Sequence, residues 1–82
     1  MNQVTTLFFA TLRDRAGVKS VELQIPPKTN VSQLKSILTN KYPALADIIG
    51  HMLVAINHEY VFDDAIIPDH AEIGLFPPVS GG

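Results

Sequence analysis

Between Pro26-Pro27 and Pro43 lies the one long run of helical period in these 82 residues, and it limits the architectures open to the chain. Asn30 stands where an N-cap belongs, and Gln33, three residues on, is placed to complete a capping box. Val31, Leu34, Ile37 and Leu38 recur at the spacing of one helix face, with Lys35, Ser36 and Asn40 between them. The helix should halt near Lys41, because a residue before proline avoids helical backbone.

Strand signals lie on both sides of that helix. Val4 to Thr11 is rich in β-branched and aromatic residues and predicts a strand, closed by a polar turn at Arg13-Asp14-Arg15-Ala16-Gly17. From Lys19 to Ile25 the chain alternates, with Val21, Leu23 and Ile25 on one face and Ser20, Glu22 and Gln24 on the other. The two segments predict an N-terminal hairpin, ended by Pro26-Pro27, which cannot donate to a ladder. After the helix, Ala44 to Gly50 predicts a helical turn burying Leu45, Ile48 and Ile49. Met52 to Ile56, Tyr60 to Phe62 and Glu72 to Phe76 predict three more strands. Asn57-His58-Glu59, Asp63-Asp64 and Pro68-Asp69-His70 mark the connections. The fold class is therefore α+β: a mixed sheet of about five strands with one long helix on one face. The other face is left uncovered.

Strand parity says what that face carries. In Leu7-Phe8-Phe9-Ala10 one phenylalanine must face the helix and the other must face away. In Ile73-Gly74-Leu75-Phe76 the same alternation sets Phe76 opposite the apolar pair Ile73 and Leu75. The expectation is that Phe9 and Phe76 lie side by side as an apolar patch for a partner protein. The plainer alternative is a single ring scattered on the surface or covered by a loop.

Composition narrows the function classes. An apolar share of 46% against 17% charged is a folding composition, and the length allows one small domain, expected over residues 1–78 with a flexible tail at 79–82. A net charge of −2, with six basic residues scattered from Arg13 to Lys41, argues against nucleic acid. Beyond Lys41 there is no Lys or Arg but six of the eight acids, which suits a basic partner. The absence of cysteine excludes disulfides, thiolate metal sites, iron–sulfur ligation and a cysteine nucleophile. No apolar run approaches a membrane span and no secretory leader is legible at the start, so the expected location is cytoplasmic.

LFFATLRDRAG near the start, MLVAINHEYV in the middle and above all LFPPVSGG at the end resemble the small, sulfur-carrying subunit of molybdopterin synthase, a ubiquitin-like β-grasp family. The resemblance implies a β-grasp fold. It implies that an adenylating activating enzyme, using ATP and Mg, activates Gly82, and that a persulfide donor then converts it to a thiocarboxylate. It implies insertion of the tail into the large catalytic subunit, within a heterotetramer, where the sulfur passes to cyclic pyranopterin monophosphate in molybdenum cofactor biosynthesis. By the same likeness Gly81 permits insertion, and Phe9, Tyr60 and Phe76 contact the large subunit together with Pro77, Pro78, Val79 and Ser80. Family members usually carry a Gly-Asp turn before the last strand; this chain reads Pro68-Asp69-His70-Ala71-Glu72, which predicts a different turn.

The residues fit that chemistry in their own terms. A C-terminal carboxylate, with a pKa of ~3.3–3.7, is ionised near neutrality and must be activated before a nucleophile can attack it. Without a thiol, the terminal acyl group is the place where this chain can carry exchangeable sulfur. Glycines without Cβ pass a channel too narrow for side chains, and residues 79–82 reach at most ~13–14 Å when extended. Pro77-Pro78 fixes φ and aims the exit. The chain is then a substrate and carrier, with no metal or cofactor of its own and no catalytic activity alone. Rival readings are a carrier for thiamine or transfer-RNA thiolation, a ubiquitin-like modifier joined to lysines, and an inert interaction module.

Three other features carry less. His51, His58 and His70 lack metal-pair spacing and fall in or beside predicted turns. Asp63-Asp64 with Asp69 and Glu72 lacks the spacing and glycine of an EF-hand loop. Arg13 and Arg15 could either pair with a partner's acids or stand in a solvated turn.

Overall fold

A computed structural model describes residues 1–78. Five strands, β1 (Asn2–Phe8), β2 (Ser20–Ile25), β3 (Leu53–Ile56), β4 (Glu59–Val61) and β5 (Glu72–Phe76), form one mixed sheet in the order β2-β1-β5-β3-β4. β1 and β5 run parallel at its centre, and the other neighbours pair antiparallel. Two α-helices, α1 (Thr11–Ala16) and α2 (Val31–Lys41), and two short 3-10 turns, Pro43–Leu45 and Ile49–His51, complete the described chain.

α2 begins as its sequence requires. The Asn30 side chain accepts from the Gln33 N–H at 2.8 Å, and the Gln33 side chain accepts from the Asn30 N–H at 2.9 Å. The N–H groups of Val31 and Ser32, which have no partner within a helix, donate to the carbonyls of Ala65 and Asp63. The helix start is thereby tied to the segment between β4 and β5. Val31, Leu34 and Leu38 turn inward against Val4, Phe8, Ile73 and Leu75 of the sheet, and all seven are nearly or fully buried. At about 25 cal/mol per Å² of apolar area removed from water, this contact is the main stabilising term of so small a domain.

Lys35, between the apolar positions of α2, is buried rather than solvated. It is only 7% exposed, and its ammonium donates to the Met52 carbonyl at 3.2 Å and to Asp63 Oδ1 at 3.0 Å. The long aliphatic stem fills the space beside the helix while the charged head reaches two acceptors.

The N-terminal pairing is as expected, but its connection is not. β1 ends at Phe8 rather than Thr11, and Arg13-Asp14-Arg15-Ala16 belongs to the one-and-a-half-turn helix α1, not to a turn. Leu12 is fully buried and anchors it, and Gly17, left-handed at φ 78°, closes it by donating its N–H to the Arg13 carbonyl. Arg15 also holds α1 in place, through Asp47 Oδ1 at 2.6 Å and the Ala44 carbonyl at 3.3 Å. Further on, the predicted turn at Ala44 to Gly50 resolves into the two 3-10 turns, with Leu45 and Ile49 buried and Ile48 half-buried. β5 has the predicted limits, and β4 starts one residue early because the turn before it is the pair Asn57-His58, at φ 50° and 73°.

The glycine-free turn before β5 is solved by another residue. His70 takes a left-handed φ of 61°, and the Asp69 carboxylate accepts from the N–H groups of Gln3 at 2.8 Å and His70 at 3.0 Å. The Gln3 N–H, helped by the nearby His70 ring, holds Asp69 below the usual carboxylate pKa of 3.8. No helix among the described residues is long and apolar enough to cross a membrane.

Candidate functional site

The register of the sheet builds its helix-free face row by row. Ser20, Leu7, Gly74, Ala55 and Tyr60 stand opposite one another across the five strands, and Leu53 stands opposite Phe76 in the neighbouring row. Phe8 points inward and is buried; Phe9, just past the end of β1, turns outward and is 39% exposed. Its ring stacks on Phe76, with centroids 4.6 Å apart and planes 11° from parallel. Tyr60, 71% exposed, meets Phe76 edge-on at 6.1 Å. The two rings expected on this face, together with Tyr60, thus form one contiguous aromatic group.

Gly74 makes the arrangement possible, and sequence reasoning passed over it. A Cβ on Gly74 would stand 2.8 Å from Cε2 and 2.9 Å from Cζ of Phe76, and 3.5 Å from Phe9. The edge of the Phe76 ring therefore occupies the space above a strand residue that has no side chain, with the edge of Phe9 beside it. The consequence is a shallow depression of about 200 Å³ bounded by Phe9, Phe76, Tyr60 and Leu7, with Ala55 and Gly74 as its floor. The available signal was a glycine inside a strand, which often marks a close approach.

One rim of the depression is polar. His58 Nε2 lies 3.6 Å from Glu72 Oε1, and Asn57 holds the β5 backbone by accepting from the Glu72 N–H and donating to its carbonyl. At the far end of β5 the chain leaves the aromatic group through Pro77, half-buried, and Pro78, exposed. The remaining predicted site residues, Val79, Ser80, Gly81 and Gly82, lie outside the described residues.

Other predicted polar residues also have partners within the molecule. Arg15 pairs with Asp47 at the surface, and both Arg15 and Arg13 are exposed. Asp63 serves Lys35 and Asp69 serves the turn before β5. His51, His58 and His70 stand in separate places, and no three His, Asp or Glu residues converge among the described residues.

The model of the ThiS family matches residues 6–82. The chain belongs to that family. Among its relatives, the molybdopterin synthase sulfur carrier subunit of Caenorhabditis briggsae is 33% identical, over all of both chains. The human protein of the same name is 32% identical over 98% of this chain and 94% of its own. Among solved structures, the small archaeal modifier protein 1 of Methanosarcina acetivorans superposes with a TM-score of 0.81 at 31% identity, covering 100% of this chain and 98% of that one. A Helicobacter pylori complex of subunits 1 and 2 of molybdopterin-converting factor contains a chain of the same fold, with a TM-score of 0.69 at 22% identity over 98% and 99% of the two chains. The fold is the ubiquitin-like β-grasp, as the sequence resemblance implied.

Proposed function

We propose that this chain is the sulfur-carrying subunit of a molybdopterin synthase. The observation that carries the reading is the stacked Phe9–Phe76 pair, set on the helix-free face at the end of the strand that leads into Pro77-Pro78-Val79-Ser80-Gly81-Gly82. An apolar docking surface at the root of a slim tail suits a protein whose body rests on a partner while its last residue enters that partner's site. Full-length similarity to relatives with the carrier's name supports the same conclusion.

In this reading the Gly82 carboxylate attacks ATP, with Mg, on the activating enzyme; pyrophosphate leaves and an acyl adenylate forms. A persulfide sulfur then attacks the acyl carbon and AMP leaves. A second thiol of the donor cleaves the sulfur–sulfur bond, forming a disulfide on the donor and leaving a thiocarboxylate on Gly82. In the synthase that sulfur passes to cyclic pyranopterin monophosphate. The chain binds no cofactor, and these steps take place in the cytoplasm. The large partner corresponds to the second subunit of the Helicobacter pylori complex.

Intact mass spectrometry of the chain, purified from cells with the pathway active, should show a fraction heavier by one exchange of oxygen for sulfur. Deleting Gly82 should remove that fraction and abolish sulfur transfer to the pterin precursor with the second subunit, while the fold is retained. Full activity without Gly82 defeats the proposal. The likeness to a small archaeal modifier protein favours one second reading, a protein modifier. That role would appear as higher-mass, Gly82-dependent conjugates on a denaturing gel.

A further inference from the structure

Tyr60 separates two hollows. Beyond the depression beneath Phe9 and Phe76 there is a second, of about 300 Å³, at the margin of the sheet, lined by Leu53, Val54, Tyr60, Val61 and Phe62. Because Leu53 stands opposite Phe76, apolar surface continues from the aromatic stack to the outer side of β4. Phe62 is 86% exposed, yet its backbone is held: its carbonyl accepts from the Ala65 N–H, and the next residue, Asp63, is fixed by Ser32 and Lys35. The anchored backbone keeps the exposed aromatic ring at one place on the sheet margin.

The two edges of the sheet are finished differently. β2 turns Ser20, Glu22 and Gln24 to the open face and stops at Pro26-Pro27, features that discourage another strand from pairing. β4 (Glu59–Val61) is less protected: it carries one charge, at Glu59, and no proline, and Tyr60, Val61 and, just past its end, Phe62 are apolar or aromatic. The two-residue turn at Asn57-His58 makes Ile56 and Glu59 the closing pair of the hairpin, so ladder alternation turns the N–H and C=O of Tyr60 outward from β3. Glu59 and Asp64 are exposed at either end of this edge, and no Lys or Arg follows Lys41 in the sequence.

We propose that β4 accepts an extended segment of the second subunit as a sixth strand. The segment hydrogen-bonds to the Tyr60 main chain, seats one apolar side chain between Tyr60 and Phe62, and brings a Lys or Arg to Glu59 or Asp64. A second copy of this chain is the poorer occupant, because pairing β4 with β4 gathers four carboxylates without a basic residue among them. The proposal rests on the carrier reading and adds to it a backbone contact distinct from the aromatic face.

The test is amide hydrogen exchange of the full chain, free and bound to the second subunit, together with the affinity of Phe62→Lys. The Tyr60 amide should exchange at least tenfold more slowly in the complex, and Phe62→Lys should raise Kd at least tenfold with the Phe9–Phe76 stack intact by NMR. A complex in which Tyr60 exchanges as fast as in the free chain overturns strand addition and leaves the carrier reading standing. Protection of Tyr60 that grows with the concentration of the chain alone identifies a second copy as the occupant and likewise overturns it. Failure of the native chain to bind the second subunit removes both the inference and the partner on which it rests.

Discussion

Gly74 and Phe76 depend on each other. The ring's edge lies where a Cβ would be, so the position of the Phe9–Phe76 stack is set by a missing methyl group. In Gly74→Ala the atoms to be displaced are the far end of a half-buried ring, not backbone, so the fold should survive with a stability change within about 1 kcal/mol. The ring must swing off Phe9, and affinity for the second subunit should fall about tenfold, which corresponds to roughly 1.4 kcal/mol. Ring-current shifts of Phe9 and Phe76, read beside a titration, check this; an unchanged stack with unchanged affinity contradicts it. Parity along β1 and β5 placed both rings on the open face from sequence alone. A glycine inside β5 was a legible sign of a close approach, but which group approaches it was not, because that depends on a ring two residues away turning back over the strand.

α2 was legible because local signals agreed: a cap, a box partner, a helical period and a proline stop. The capping box satisfies donors at the helix start, so Asn30→Ala should cost about 1 kcal/mol in urea or thermal unfolding. A loss below about 0.3 kcal/mol would assign the stability of that end to the carbonyls of Asp63 and Ala65 instead. α1 was misread for the opposite reason. It has no side-chain cap, it buries only Leu12, and its charged residues end on a glycine, a composition shared with turns. Its helicity rests on Leu12 entering the core, with the exposed Arg15–Asp47 pair beside it, contacts that no local window contains. Lys35 is similar: its acceptors, Met52 and Asp63, lie 17 and 28 residues away.

For the molecule as a whole, charge is divided along the sequence, with six acids and no Lys or Arg after Lys41. The aromatic group and the free edge of β4 draw heavily on that acidic half, so encounter with a basic partner should be electrostatically steered. Raising ionic strength from low to physiological should slow association by about tenfold or more while changing dissociation little, since long-range attraction acts before the apolar surfaces meet. Stopped-flow association rates across a salt series measure this, and a rate insensitive to salt would show that the charge division plays no part in docking. The central pair of strands has a further consequence. β1 and β5 are nearly the first and last described segments, yet they are neighbours in the middle of the sheet. During synthesis the growing polypeptide can form its two outer ribbons but cannot join them until residue 76 has left the ribosome. Assembly of the body and delivery of the segment that follows β5 are therefore a single late event.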